Sequence, residues 1–351
     1  MFKYLSGVLG LDVGIDLGSA NIVVYVKDKG IVLSEPSAVA VRKLPKGEGL
    51  EVIAVGNDAK AMSGKVPAGV ESIWPLRDGV IANFDMTEEL IRYALRKVSG
   101  SGNFMVHPRV VISVPAEVTE VERKAVVDAT LGAGASEAYV VEEPISAALG
   151  VGLPIDKPNG CMVIDIGGGT SEVSVISLGG VVVTSSLRTA GKMMDNAIIA
   201  MIRQRYALLI GDITAEEVKN TIGSALPLNP ELEMNVKGRD LSAGLPKSCV
   251  VSSVEVRESM EPVFTGIEDM IKVAFEKIPP ELARDVVDRG VILTGGVALM
   301  RGFSERLSRV INTPVIVAER PMFSVANGVG KILENLGTMR RVLNSVERGA
   351  R

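Results

Sequence analysis

The stretch that most constrains this chain runs over residues 162–176, Met-Val-Ile-Asp-Ile-Gly-Gly-Gly-Thr-Ser-Glu-Val-Ser-Val-Ile. The apolar residues Cys161 to Ile164 read as a buried strand that ends in Asp165 and three glycines, Gly167, Gly168 and Gly169. A second strand, carrying Val173 and Val175, leaves the turn, so the whole is a β-hairpin with a nearly bare backbone at its tip. Glycines there let backbone N–H groups converge on an anion with no Cβ in the way. Thr170 adds a hydroxyl, and Asp165 puts a carboxylate where a cation would sit between protein and phosphate. Taken alone, the stretch also suits a tight hairpin with a capping aspartate.

The chain builds the same device once before. Residues 13–21, Val-Gly-Ile-Asp-Leu-Gly-Ser-Ala-Asn, are again apolar strand, Asp16, Gly18 and the hydroxyl of Ser19, followed by a strand over residues 22–26. Asp16 to Gly30 and Asp165 to Gly179 are the same 14 residues long, and the copies lie about 150 residues apart, which is a domain duplication and not a short-period repeat. Two facing hairpins can clamp a polyphosphate and its Mg²⁺ from both sides. Mg²⁺ takes few carboxylates with waters and phosphate oxygens, which fits one aspartate from each half, Asp16 and Asp165, through water.

Composition removes other classes. The chain has 351 residues, enough for two sizeable cores, and its net charge of −4 gives no reason to expect nucleic acid. A single histidine, His107, leaves neither a zinc cluster nor a Ser-His-Asp triad. Two scattered cysteines, Cys161 and Cys249, point to a reducing compartment. No apolar run reaches ~18 residues, so no membrane span is expected.

Along the chain, Phe2, Leu5, Val8 and Leu9 share one helical face, which suits a membrane interface or an apolar arm packed on its own domain. Residues 34–74 are polar and turn-rich and read as a small inserted subdomain. A helix is expected over residues 87–98, with Asp85 or Thr87 as its N-cap. Strand 109–114, helix 117–130, strand 139–141 and helix 145–149 follow. In the loop 101–106, Phe104 and Met105 stand on a glycine-rich turn, where an exposed apolar pair is unusual unless it buries in something. The alternative is that the pair folds back onto the domain. The second half repeats the pattern, with helices at 191–206, 215–222, 254–274, 303–310 and 323–336 and strands at 291–293 and 315–317. Residues 226–249 read as a second small insertion, and the tail 339–351 as basic.

The hairpins and four further motifs resemble those of the actin–Hsp70–sugar-kinase superfamily, and within it the bacterial actins of the MreB family. The further motifs are Trp-Pro-Leu-Arg-Asp-Gly-Val-Ile-Ala (74–82), Val-Glu-Glu-Pro-Ile-Ser-Ala-Ala (141–148), Pro-Pro-Glu-Leu (279–282) and Leu-Thr-Gly-Gly (293–296). The resemblance covers nearly the whole chain and implies an α/β, duplicated RNase-H-like (actin-like ATPase) fold. Two large domains, each with a small inserted subdomain, would flank a nucleotide cleft. The implied division is residues 1–33, 75–144 and 320–351 for the first large domain and 34–74 for its insertion. Residues 145–183 and 250–319 form the second, with 184–249 inserted.

The resemblance further implies that ATP or ADP with Mg²⁺ lies between Asp16, Gly18, Ser19, Ala20 and Asn21 on one side and Asp165, Gly167, Gly168, Gly169 and Thr170 on the other. Glu216 and Lys219 fall where such proteins grip ribose and base, and Gly295 and Gly296 match the adenosine turn. Glu143 falls where the family orients the attacking water, with Thr170 assisting; phosphoryl transfer to water asks mainly for such positioning and for charge neutralisation. Glu142 is expected to face a structural partner. Three residues depart from the family pattern: Ser19 for threonine, Ile22 where threonine is common, and Val297 for a third glycine. The branched Val297 side chain is expected to crowd the base, and Ile22 to remove a polar contact near the first loop.

The implied activity is ATP hydrolysis coupled to assembly of head-to-tail filaments, in paired protofilaments on the inner face of the cytoplasmic membrane, with cell-wall elongation proteins as partners and a role in rod cell shape. Phe2, Leu5, Val8, Leu9, Phe104 and Met105 would form the membrane face. The alternatives are a sugar-kinase-like or an Hsp70-like ATPase of the same fold. A kinase needs a catalytic aspartate in an acceptor pocket, and no candidate stands apart from the hairpin carboxylates. An Hsp70-type chaperone needs a peptide-binding domain, and only residues 318–351 follow the last expected core strand.

Overall fold

The computed structural model describes residues 11–44, 49–99 and 107–337, with Met339, Leu343 and residues 345–348 of the tail. The first half opens on β1 (Asp12–Leu17), β2 (Asn21–Val26) and β3 (Gly30–Pro36), an antiparallel run. Val13, Ile15, Ile22 and Val24 have no exposed surface, and burying such side chains is worth about 1.5–3 kcal/mol each. The chain then leaves the sheet for a small unit of β4 (Val39–Lys43), β5 (Leu50–Val55), α1 (Asn57–Met62) and β6 (Val70–Ile73), in strand order β5-β4-β6. The hairpin β7 (Leu76–Arg77) and β8 (Val80–Ile81) returns it, turning at Asp78 and Gly79 with φ of 52° and 79°, the pairing of Asp and Gly that two-residue hairpins favour.

Helix α2 (Phe84–Ser99), β9 (Arg109–Val114), α3 (Glu120–Gly132) and β10 (Glu137–Glu142) complete this half, with β9 parallel to both β1 and β10. After α4 (Glu143–Gly150), strands β11 (Cys161–Ile166), β12 (Ser171–Ser177) and β13 (Gly180–Leu187) repeat the opening antiparallel run. A second small unit follows, of α5 (Gly191–Tyr206), β14 (Leu208–Leu209), α6 (Asp212–Ile222), β15 (Glu233–Asp240) and β16 (Pro246–Ser252). Helices α7 (Ser253–Glu276) and α8 (Pro280–Arg289), β17 (Val291–Thr294), α9 (Phe303–Ile311) and β18 (Val315–Val317) close the second half. Helix α10 (Ser324–Glu334) and β19 (Ser345–Arg348) return to the first.

The duplication is explicit in the sheets. One has the order β3-β2-β1-β9-β10-β19 and the other β13-β12-β11-β17-β18; in each, three antiparallel strands are followed by two parallel ones, and the first adds β19 antiparallel at its edge. The halves join where α4 crosses α10. Their backbones come so close that a Cβ at Gly328 would collide with the Ser146 carbonyl, and one at Gly150 with that of Ser324. Helix α10 also touches β1 and β2, and α4 touches β11 and β12, so this crossing carries contacts from one sheet to the other. No helix among the described residues is long and apolar enough to cross a membrane.

Several local expectations change. Asn83 caps α2, its side-chain oxygen accepting from the Met86 N–H at 3.1 Å, so Asp85 and Thr87 lie inside the helix. Helix α3 begins at Glu120 because Thr119 and Glu122 form a capping box. Residues 226–249 hold the strand β15 and the start of β16, whose many charged residues hide the strand pattern. Pro279 and Pro280 begin helix α8, proline being well suited to a first turn. The tail contributes β19, which pairs with β10 at the sheet edge.

Candidate active site

Strands β1 and β11 each deliver an aspartate, Asp16 and Asp165, to the floor of one cleft. The two turns beyond them are built alike: the Gly18 N–H donates to Asn21 O at 3.1 Å, and the Gly167 N–H to Thr170 O at 2.9 Å. The loops abut across the cleft. A Cβ on Gly168 would lie 2.6 Å from Ala20 Cβ, and one on Gly169 would lie 3.0 Å from Ser19 Cβ, so this approach depends on glycine. Ser19 Oγ also accepts from the Gly79 N–H at 2.9 Å, which places the β7–β8 turn against the first loop. The cleft has a volume of about 880 Å³, within the range of small-ligand sites.

The carboxylates of the floor are strained electrostatically. Burial, then the charge of Asp165, pushes Asp16 up to about 7, against a Ser113 hydroxyl that pulls it down from 3.5 Å. Burial pushes Asp165 to about 6. Glu143, the first residue of α4, is held well above the usual carboxylate range by burial and then by Asp16, Glu172 and Asp165. Glu172 is pushed up to about 8 by burial, opposed by the Ala116 N–H and reinforced by Asp165, Glu117 and Glu142. Four acids that repel one another on a bare-backbone floor form a site suited to a cation carried by an anion. No group of three or more His, Cys, Asp or Glu among the described residues is placed to hold a metal. Mg²⁺ held by phosphate oxygens and water, with Asp16 and Asp165 behind the water, fits that donor set.

The other expected residues meet in the same cleft. Gly295 has φ 85° and faces Asp165, and a Cβ there would collide with the Asp165 carboxylate; at Gly296 a Cβ would meet nothing within 4 Å. Val297 is 6% exposed, belongs to the core of the second half and also lines the cleft, where a Cβ on Gly191 would lie 3.3 Å from its γ-carbon. Ile22 is fully buried in the core of the first half. Glu216 and Lys219 both line the cleft, yet each has a protein partner. Glu216 Oε2 lies 2.5 Å from Lys60 Nζ, which reaches across from α1. Lys219 Nζ lies 2.8 Å from Asp195 Oδ1 and donates to Gly191 O at 3.0 Å. Glu142 lies 4.0 Å from the buried Arg123, the structural partner expected of it.

Sequence reasoning missed Glu172, Gly79, Lys60, Trp74 and Lys192, all of which line the cleft. Lys192 Nζ sits 5.9 Å from the centre of the Trp74 ring, a second contact between the two small units. For Glu172 the signal was present: it is a carboxylate within a strand whose other residues are Ser, Val and Ile. The proposed membrane residues Phe2, Leu5, Val8, Leu9, Phe104 and Met105 lie outside the described residues.

Residues 10–341 match the family model for MreB/Mbl protein. The chain belongs to the MreB/Mbl family. Among relatives, the cell shape-determining protein MreB of Escherichia coli K12 is 46% identical over 334 residues, covering 95% of this chain and 96% of that protein. The cell shape-determining protein Mbl of Bacillus subtilis 168 is 44% identical over 325 residues, covering 93% and 96%. Among solved structures, MreB 5 of Spiroplasma citri bound to AMPPNP superposes with a TM-score of 0.88 at 33% identity, over 95% of this chain and 98% of that one. A MamK double helical filament shares the fold, with a TM-score of 0.76 at 20% identity, covering 92% and 98%. The fold of this MreB/Mbl chain is therefore the duplicated, actin-like one.

Proposed function

We propose that this chain is a cell-shape cytoskeletal ATPase that binds Mg·ATP between its two glycine loops, hydrolyses it with water and assembles into filaments on the inner face of the cytoplasmic membrane. The observation that carries the reading is the pair of abutting loops, with Asp16, Asp165, Glu143 and Thr170 all lining the one cleft. The AMPPNP-bound and ADP-bound MreB 5 structures, and the names of the cell shape-determining relatives, support it.

The residues divide the work. Gly18, Ser19, Ala20 and Asn21 from the first half, and Gly167, Gly168 and Gly169 from the second, offer amides and hydroxyls to phosphate oxygens. Asp16 and Asp165 would hold Mg²⁺, which would supply charge neutralisation at the phosphates. Glu143 accepts a hydrogen bond from the attacking water and orients it, with the Thr170 hydroxyl as second partner. Gly295 and Gly296 leave room for adenosine, and Glu216 and Lys219 lie beside the ribose.

We assign the large domains to residues 1–33, 75–144 and 320–351 and to 145–183 and 250–319, with small subdomains at 34–74 and 184–249. A monomer with different complementary patches at its two ends makes contacts that need not close into a ring. Phe2, Leu5, Val8, Leu9, Phe104 and Met105 are the proposed membrane contacts, each weak and summed along a filament. Cell-wall elongation proteins are the proposed partners. Sedimentation and light scattering with Mg·ATP, and negative-stain images on anionic lipid, test this reading. Nucleotide- and concentration-dependent filaments are expected. A monomer that phosphorylates a sugar and never assembles would contradict it.

A further inference from the structure

A buried carboxylate ties the two halves together beneath the phosphate loops. Glu172 on β12 is 4% exposed, and one of its oxygens accepts from the Ala116 N–H at 3.0 Å. Ala116 belongs to the other half, in the loop that follows β9. The Thr184 hydroxyl, on the neighbouring β13, approaches the same oxygen at 3.5 Å and is itself paired with Ser174 at 3.0 Å. One residue along the same loop, Glu117 accepts from the Ser186 hydroxyl of β13. The contact is thus a seam between the loop after β9 and the β12–β13 hairpin. Burying a carboxyl is costly unless its oxygens are satisfied, so the Ala116 amide matters.

The seam lies between two residues of the proposed hydrolytic step. Val114, the last residue of β9, is paired with Glu142, and Glu143 follows. On the other side, Thr170 stands two residues before Glu172, and Asp165 is the cross-strand partner of Glu172. One side-chain hydrogen bond therefore ties the loop after β9, whose strand pairs with the one leading into Glu143, to β12, which begins just after Thr170.

We propose that Glu172 is a positioning residue for ATP hydrolysis: through the Ala116 amide it holds the strand ends bearing Glu143 and Thr170 at the separation at which both face one phosphate group. The proposal rests on the ATPase reading above. What it requires of position 172 is a hydrogen-bond acceptor of the right length, so glutamine, whose amide oxygen can accept from Ala116, keeps the seam and alanine breaks it.

The test compares the full chain with Glu172→Gln and Glu172→Ala, reading steady-state ATP turnover, Mg·AMPPNP affinity and hydrogen exchange at the 116–119 loop amides. A misplacement of about 1 Å can cost on the order of 10²-fold in rate. Glu172→Ala is expected to lose about 10- to 100-fold in kcat with affinity changed less than about 3-fold, and Glu172→Gln to stay within about 3-fold of the parent. Ala116 exchange should accelerate in Glu172→Ala and remain slow in Glu172→Gln. Parental turnover in Glu172→Ala, or turnover lost equally in both variants, overturns the positioning role and leaves the ATPase reading standing. Ala116 exchange that is the same in all three proteins overturns the seam whether or not the parent hydrolyses ATP. A parent without turnover fails the ATPase reading and the positioning role with it, while exchange still decides whether the seam exists.

Discussion

Replacing Gly168 by alanine should separate the two phosphate loops. The added Cβ would lie 2.6 Å from Ala20 Cβ, whereas carbon atoms in contact prefer about 3.5–4.0 Å, so the loops must part by about 1 Å. The backbone at Gly168 is not among the positive-φ glycines, so the effect is steric. If the loops clamp one polyphosphate, a 1 Å separation should lower kcat/KM by on the order of 10²-fold, about 2.7 kcal/mol of transition-state stabilisation. The structure also provides the rescue. After Ala20 Cβ, the next atoms around that site are Ala20 Cα and N at 3.6 Å, an ordinary contact. Ala20→Gly combined with Gly168→Ala should therefore recover to within about 10-fold of the parent, and the coupling in the double-mutant cycle should be large. Gly180→Ala is the control, because it lies outside the cleft, its Cβ would meet nothing nearer than 4.0 Å, and turnover should change less than about 3-fold. The assay is steady-state phosphate release over a range of Mg·ATP concentrations. Parental kinetics in Gly168→Ala, or a loss that Ala20→Gly does not relieve, would refute the clamp.

Three further outcomes are expected. Asp16, Asp165 and Glu172 carry folded-state values raised to about 7, 6 and 8, so the nucleotide-free fold holds protons that the unfolded chain releases near pH 4. The stability they contribute is fully present below about pH 4 and is lost progressively between pH 4 and the folded values at 6 to 8; thermal unfolding of the nucleotide-free chain should move to lower temperature over that window, and Asp16→Asn should flatten the trend. A nucleotide-free chain that grows more stable from pH 6 to 8 would contradict this. Lys60→Ala removes the Lys60–Glu216 contact across the cleft; both side chains are about one-third exposed, so the loss is small, about 0.2–1 kcal/mol, and release of a fluorescent ATP analogue should quicken about 1.5- to 5-fold, an effect that salt diminishes in the parent. In liposome flotation, deleting residues 1–10 and substituting Phe104→Ser with Met105→Ser should each lose part of the binding and together all of it; a combined variant that floats like the parent places the membrane face elsewhere.

The duplicated hairpins were legible because their signals are local. An aspartate at the end of an apolar run, a glycine turn and a hydroxyl lie within six residues of one another, and each half carries them. The two sheets follow from the same periodicity. What the sequence hid was convergence over long separations. Glu216 meets Lys60 across 156 positions, and Glu172 meets Ala116 across 56, so neither partner marks the other in the one-dimensional pattern. Val297 shows how one residue can serve both readings: it is buried in the core of the second half and also lines the cleft beside Gly295 and Gly296. Strand β15 escaped because its exposed face is charged and only Val236 is fully enclosed by the second half.

The central claim is that Glu143 acts on water and not on the nucleotide's hold. The direct measurement is ATP hydrolysis by Glu143→Ala alongside its affinity for Mg·ATP. Glu143 is buried among Asp16, Glu172 and Asp165 and holds no phosphate, so removing its carboxyl relieves crowding among these acids and should leave affinity equal to or tighter than the parent's while turnover falls by about 10²-fold or more. Turnover at the parental rate, or affinity lost in proportion to turnover, would contradict the account.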